Sequence, residues 1–256
     1  MVHVPSFDLS GQVAIVSGAS RGIGESIAHA LAANGAHVIC ASRKLEGCEA
    51  VASSIREAGG SAEAHACHIG DPDAIEALYR TVTAKHDRLD ILVNNAAANP
   101  YFGPIQETDL SAFQKTVDVN IRGYFFMTSH AVKVMAKRKS GAILNVASVN
   151  GFVPGAMQGI YSITKAAVLS MTKAFAKECA PLGVRVNAIA PGATDTKFAS
   201  QLVNTPAISK RILERTPIGR FAQPDEMAGA ALYLVSPASS YTTGATIIVD
   251  GGALLG

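Results

Sequence analysis

The sequence predicts an α/β protein: a single domain over residues 1–256, built on a doubly wound parallel sheet of about seven strands flanked by helices. Three observations carry this. Short apolar runs alternate with helix-length stretches along the chain. The runs are apolar at nearly every position, the mark of strands buried on both faces. The first run also passes directly into a glycine-rich turn and a helical pattern, the local order of a phosphate-binding unit.

Taken in order, the strand runs are Val13–Val16, Val38–Cys40, Ile91–Val93, Ala142–Val146, Val184–Ile189 and Thr246–Val249. Helical patterns fill roughly residues 22–34, 43–58, 72–86, 109–138, 160–180 and 224–235. Such alternation folds as parallel strands joined by crossover helices. Residues 192–222 break the rhythm, with Pro206 and Pro217 among scattered apolar positions. They read either as short helices forming a mobile cover over a site or as an excursion that only packs.

Composition narrows the function. Hydrophobic residues make up 48% and charged residues 16% of 256, enough for a large core and too little charge for disorder. A formal charge of +2 without a Lys/Arg tract argues against nucleic acid as a partner; Lys133, Lys137, Arg138 and Lys139 read as the basic end of a helix. Cys40, Cys48, Cys67 and Cys179 lack Cys-x-x-Cys spacing, so neither a structural zinc site nor a disulfide framework is expected, and no metal. Met1–Asp8 lacks the regions of a signal peptide, and no apolar run approaches the roughly 18 residues of a membrane span. A cytoplasmic protein without a membrane partner is expected.

The chemistry-bearing residues begin with Tyr161 and Lys165, four apart, and Ser148, thirteen before the tyrosine. On a helix an i,i+4 pair shares one face, so the ammonium can sit beside the phenol and favour its ionised form. A phenol that ordinarily titrates near about 10 would then move toward the range useful for proton transfer. In the glycine turn, Gly18, Ser20, Arg21, Gly22, Ile23 and Gly24 are candidate contacts for a pyrophosphate: the glycines permit close backbone approach, and the helix start offers free N–H groups.

These signatures, with Asn94-Asn95-Ala96-Ala97 after the fourth strand, Asn120, Pro191-Gly192 and the closing Val249-Asp250-Gly251-Gly252, follow one another in the order seen in the short-chain dehydrogenase/reductase family. The chain resembles that family over nearly its whole length. The resemblance implies a Rossmann-type fold and a mechanism. Tyr161 would protonate a carbonyl oxygen as hydride arrives from a nicotinamide, or deprotonate an alcohol in reverse. Ser148 would orient that oxygen. Lys165 would lower the tyrosine's pKa and hold the nicotinamide ribose, and Asn120 would anchor a water leading to solvent. The rest of the cofactor site would come from Asn95, Ala96, Ala97, His68, Ile69, Pro191, Gly192, Thr194 and Thr196, with Thr196 supplying the hydroxyl at the carboxamide. Singly, Ser148 also reads as a strand-end serine and Asn120 as a buried asparagine tying down a helix kink.

Cofactor choice depends on Ser42-Arg43-Lys44. By family register Ser42 stands where an acidic residue would select NAD, and Arg43 offers a guanidinium suited to a 2′-phosphate, with Arg21 a possible second charge. NADP(H) is therefore expected over NAD(H), although Arg43 and Lys44 could simply open a solvated helix. Two positions depart from the family pattern. Ala97 replaces a glycine, and His68 stands where an aspartate usually meets the adenine, so that contact is open. Local wording around Asn94–Gly103, Ser42–Lys44 and Cys67–Gly70 resembles the NADPH-dependent carbonyl and retinal reductases of the peroxisomal type, while Ala253–Gly256 is not a peroxisomal address. Phe102, Phe152, Met157, Phe198 and Leu202 are candidate pocket walls or, equally, core. The resulting expectation is an NADP(H)-dependent oxidoreductase for a small apolar or aromatic ketone or aldehyde. Its rivals are an NAD-preferring alcohol dehydrogenase and a dinucleotide-binding sensor without turnover. A homotetramer paired through helices at about 109–138 and 160–180 is implied by the resemblance.

Overall fold

A computed structural model describes residues 6–255; the readings of Met1–Pro5 and Gly256 lie outside the described residues. Seven parallel strands form one sheet in the order β3-β2-β1-β4-β5-β6-β7: β1 Val13–Ser17, β2 His37–Ser42, β3 Ser61–Ala66, β4 Ile91–Asn94, β5 Gly141–Val146, β6 Val184–Pro191 and β7 Thr246–Val249. The helices are α1 Gly22–Ala33, α2 Leu45–Glu57, α3 Pro72–His86, α4 Leu110–Val117, α5 Tyr124–Met135, α6 Gly159–Cys179, α7 Ser200–Asn204, α8 Pro206–Glu214 and α9 Ala228–Val235.

Strand periodicity builds a core on each face. Ala14 and Val16 pack with Ile27, Leu31, Val51, Met227 and Leu234 toward α1, α2 and α9. Val13 and Ile15 face the other way and meet Ile75, Leu78, Val82, Met127 and Val168 toward α3, α5 and α6. Both faces of a parallel sheet are thus covered, which is why the strands read as unbroken apolar runs.

One expectation changes. The helix expected over 109–138 is interrupted: a π turn at Asp118–Gly123 separates α4 from α5, and a 3-10 turn closes it at Ala136–Arg138. At the π turn Gly123 passes so close to Ile69 that an added Cβ would lie 3.1 Å from the Ile69 carbonyl carbon. The region 192–222 contains the short helices α7 and α8, and Thr194 pairs with Ala222 across it. The four cysteines are buried and free. Among the described residues no helix is long and apolar enough to cross a membrane.

Candidate active site

The strand order turns at β1 and β4: β2 and β3 extend one way from β1, β5 to β7 the other. A crevice at the carboxyl ends of the strands is expected at such a switch point. The sequence candidates follow those ends: Gly18 after β1, Arg43 after β2, His68 beyond β3, Asn95 after β4, Ser148 beyond β5 and Gly192 after β6.

The glycine turn leaves room where a side chain would fill it. Gly18 has φ +70°, and a Cβ there would lie 2.8 Å from the Ala96 Cα and from Asn95 Nδ2. Gly24 approaches Asn95 and the Gly18 carbonyl still more closely, and a Cβ on Gly22 would reach Thr196 Cγ2 at 3.2 Å. The turn and the Thr196 loop therefore face each other. Arg21 stands before α1 without a side-chain cap, so the first N–H groups of the helix are open to an anion. These features fit a dinucleotide pyrophosphate.

Ser17 organises the turn, although the sequence reading passes over it. Its hydroxyl donates to Val93 O at 3.2 Å and accepts from the amides of Asn95 and Ala96 at 3.0 and 3.3 Å. Asn95 Nδ2 in turn donates to the carbonyls of Ser17 and Gly18. Ala97 is half-buried in the same loop. Below it, Asn94 joins Thr128 and Asn145, each at 2.9 Å, and Asn145 reaches Thr172 at 2.9 Å. This buried polar chain ties β4 and β5 to α5 and α6.

At the end of β2, Ser42 accepts from the Cys48 thiol at 3.0 Å and donates to Lys44 O at 3.2 Å. Arg43 and Lys44 are exposed. Among the described residues neither they nor Arg21 take part in an ion pair. Their charge is uncommitted. His68 Nδ1 accepts from the Gly70 amide at 3.0 Å, which puts the proton of the neutral ring on Nε2. Ile69 beside it is buried.

Tyr161 and Lys165 are both buried on α6. The Lys165 amine lies 5.6 Å from the Tyr161 ring centroid and 5.3 Å from that of Tyr124. It donates to Val146 O at 2.7 Å, a carbonyl that also accepts from the Tyr124 hydroxyl at 3.2 Å. An ammonium has three donors; among the described residues this one has a single hydrogen-bond partner. One expectation is reversed here. Burial pushes the Tyr161 phenol up rather than down, and the opposing influence is a hydrogen bond from Ser148, not the lysine. The cause is desolvation, which also pulls the Lys165 amine down to about 7 and weakens the charge it could lend.

That amine has a measurable consequence. An unfolded lysine titrates near about 10.4, so between about pH 7 and 8.5 the unfolded chain holds the proton that the folded one gives up. Stability then rises with pH, by on the order of 1 kcal/mol per unit at most. Above that window the buried thiols, which burial pushes up, work the other way. Comparing denaturation of the protein with that of Lys165→Met isolates the effect: the difference in stability should change with pH across the window, and a constant difference would refute it.

Asn120 lies in the π turn, fully buried. Its Oδ1 accepts from the Ala98 amide at 2.8 Å, and its Nδ2 donates to Ala98 O at 2.9 Å and Thr164 Oγ1 at 3.0 Å. Both amide hydrogens are thus engaged by protein, and the side chain clamps the β4 loop to α6 next to Lys165. At the end of β6, Pro191 is buried, and a Cβ on Gly192 would lie 2.7 Å from Asp250 Cα. Thr194 is buried with its hydroxyl on Gly192 O at 3.1 Å, whereas half-buried Thr196 caps the next turn, accepting from Ala199 N at 3.2 Å.

Phe198 stacks obliquely beside Tyr161, ring centroids 5.9 Å apart. Phe102 and Met157 are brought together by the Gly103 amide on Met157 O at 2.9 Å; Met157 itself has φ +63°. Phe152 follows the turn after Ser148 and is about half exposed, and Leu202 lies half-buried on α7. The aromatic candidates are therefore not closed core. Polar neighbours that the sequence reading does not name stand among them: Asn99 donates to buried Gln158 at 3.3 Å, and its Oδ1 is buried without a partner among the described residues.

With this geometry in hand, comparison with known proteins is direct. A family model described as Enoyl-(Acyl carrier protein) reductase matches residues 18–253. Dehydrogenase/reductase SDR family member 4 of Oryctolagus cuniculus is 37% identical over 245 residues, 96% of this chain and 94% of the relative. A 3-oxoacyl-acyl-carrier-protein reductase of Synechocystis is 39% identical over 254 residues, covering 96% and 98%. The crystal structure of a gluconate 5-dehydrogenase from Burkholderia cenocepacia, in complex with NADP and tartrate, superposes with a TM-score of 0.94 at 32% identity, covering 98% of each chain.

Proposed function

Because the chain belongs to the short-chain dehydrogenase/reductase family of oxidoreductases, we propose that it reduces the carbonyl of a small molecule with NADPH, with Tyr161 as proton donor. The observation that carries this is the convergence at one end of α6: Tyr161 contacted by Ser148, with the Lys165 amine 5.6 Å from its ring and Phe198 5.9 Å away. A bound dinucleotide would supply the hydride. Gly18, Gly22, Gly24 and the open start of α1 would hold its pyrophosphate, together with Ser20 and Ile23 of the same turn. Asn95, Ala96 and Ala97 line the crevice floor, and Thr196 with Pro191 and Gly192 supports the nicotinamide side. Lys165 offers its two free donors to the ribose, and Ser148 orients the substrate oxygen. The proton leaves the phenol for that oxygen. Asn120 keeps α6 and the β4 loop in register for this transfer.

NADP(H) is preferred over NAD(H) because no carboxylate stands at Ser42 to meet a ribose 2′-OH, while uncommitted Arg43, Lys44 and Arg21 suit a 2′-phosphate. For Ser42→Asp the ratio of kcat/KM for NADPH over NADH should fall by about 10- to 100-fold, or about 1.4–2.8 kcal/mol; a ratio that does not move refutes the phosphate reading.

A second substrate reading rests on Asn99. Phe198, Phe102 and Met157 suit an apolar or aromatic ketone, but an orphaned buried carbonyl favours a ligand bringing a hydrogen-bond donor. The tartrate in the Burkholderia relative is of that hydroxylated kind. Kinetics on a panel of aryl ketones and hydroxylated ketones separates the two. Higher kcat/KM for the hydroxylated set favours the Asn99 reading, higher values for aryl ketones the apolar one, and NADPH binding without turnover on any of them supports the non-catalytic alternative.

A further inference from the structure

A second cluster of ionisable side chains stands away from the crevice, at the far edge of the sheet. His37 opens β2, Glu63 lies third in β3, and His86 closes α3. Strand register makes the meeting obligatory. His37 pairs with Ser61, so Glu63, two residues on, projects from the same face, toward α3. Glu63 Oε1 lies 3.1 Å from His86 Nε2 and Oε2 lies 3.9 Å from His37 Nε2. The two imidazoles are 4.7 Å apart by ring centroid.

We propose that His37, Glu63 and His86 form a binding site for a divalent transition-metal ion of the zinc class. One donor atom from each lies within 4.8 Å of the others. Three ligands of a tetrahedral ion at about 2.0–2.1 Å stand about 3.3 Å apart, so each donor has to close in by roughly 1 Å or less. His37 Nε2 is buried and, among the described residues, has no hydrogen-bond partner, while its Nδ1 lies 2.7 Å from Ser61 Oγ. A serine that accepts from Nδ1–H fixes the tautomer with the Nε2 lone pair turned inward, as a hydrogen-bond partner of a metal-bound imidazole usually does. Two neutral imidazoles and one carboxylate suit Zn2+, Co2+ or Ni2+ rather than Mg2+ or Ca2+, and leave a fourth position for water. The cysteine spacing that argues against a thiolate site does not bear on this set.

Two neighbours define the competition. His65 Nε2 reaches Glu63 Oε1 at 3.2 Å from the side, and Lys85 holds the other carboxylate oxygen. The lysine is largely exposed and free to swing away. Without metal the cluster serves as an ion-pair staple between the edge strand and α3; with metal, the ion takes the place of the ammonium.

Metal-free protein titrated with Zn2+ by calorimetry should bind one ion per chain, and Co2+ should give the visible d–d bands of a four-coordinate centre. His37→Gln and His86→Gln should each weaken Zn2+ binding by at least about tenfold, the lower end of what even an outer-shell change costs. Lys85→Ala should tighten it, since it removes the competitor while leaving every ligand in place. Absence of stoichiometric binding, binding that survives both histidine substitutions, or an affinity unmoved by Lys85→Ala overturns the site. The lysine variant keeps the test decisive should a histidine variant fail to fold.

Discussion

Replacing Tyr161 with phenylalanine is expected to lower kcat for carbonyl reduction by about 10²- to 10⁴-fold, the usual worth of a positioned general acid. The substitution removes one oxygen. The ring stays, and with it the packing against Phe198 and the face turned toward Lys165, so the fold and the affinity for NADPH should stay close to wild type. The phenol's environment determines the direction in which it works best. Burial holds the proton on the oxygen at neutral pH, with Ser148 pulling the other way, which suits an acid delivering its proton to a developing alkoxide. Alcohol oxidation needs the deprotonated form instead, so its rate should climb with pH while reduction does not. Steady-state kinetics in both directions, paired with NADPH binding by fluorescence, checks all of this. Turnover within tenfold of wild type in the phenylalanine variant would mean that the proton comes from another group.

The same residues show what a sequence can and cannot disclose. Central strands are legible because burial on both faces leaves mostly apolar side chains in them. β3, Ser61–Ala66, is not: at the sheet edge it has one neighbouring strand and carries Glu63 and His65, so no apolar run marks it. The break between α4 and α5 is hidden for the opposite reason. Apolar spacing continues through Asp118–Gly123, and the π turn answers to Gly123 pressing on the Ile69 backbone, a contact about fifty residues away in sequence. Tyr161, Lys165 and Ser148 stand out through their spacing taken together with the glycine turn and the family resemblance. Ser17, Asn145, Asn99 and Gln158 do not, because their meaning lies in partners reached only after folding; Ser17 bonds to residues 76 to 79 positions away. The direction of the tyrosine's pKa was equally out of reach, since helical spacing reveals proximity to a charge but not how much water burial removes from both groups.

Gly18→Ala should destabilise the protein by roughly 2–4 kcal/mol, the sum of about 1 kcal/mol for forcing a side chain into the left-handed region and about 1–3 kcal/mol for overpacking. For a chain of this length that corresponds to a fall of roughly 5–15 °C in Tm. The overpacking is severe because moving the Asn95 side chain cannot relieve it: the added methyl would also meet backbone, the Ala96 Cα at 2.8 Å and the Ala96 nitrogen at 2.9 Å, in a loop fixed by Ser17 and Asn95. Relief requires β1 and β4 to part at their carboxyl ends, which also spoils the pyrophosphate cradle, so NADPH affinity should drop by on the order of tenfold or more, about 1.4 kcal/mol. Gly11→Ala separates the two contributions. Gly11 has φ +73°, close to the +70° of Gly18, yet among the described residues a Cβ there meets nothing within 4 Å. Its alanine variant should lose only about 1 kcal/mol and bind NADPH normally. Equal losses in the two variants would show that backbone conformation alone governs Gly18, and that its closeness to the β4 loop has no bearing on how the dinucleotide is held.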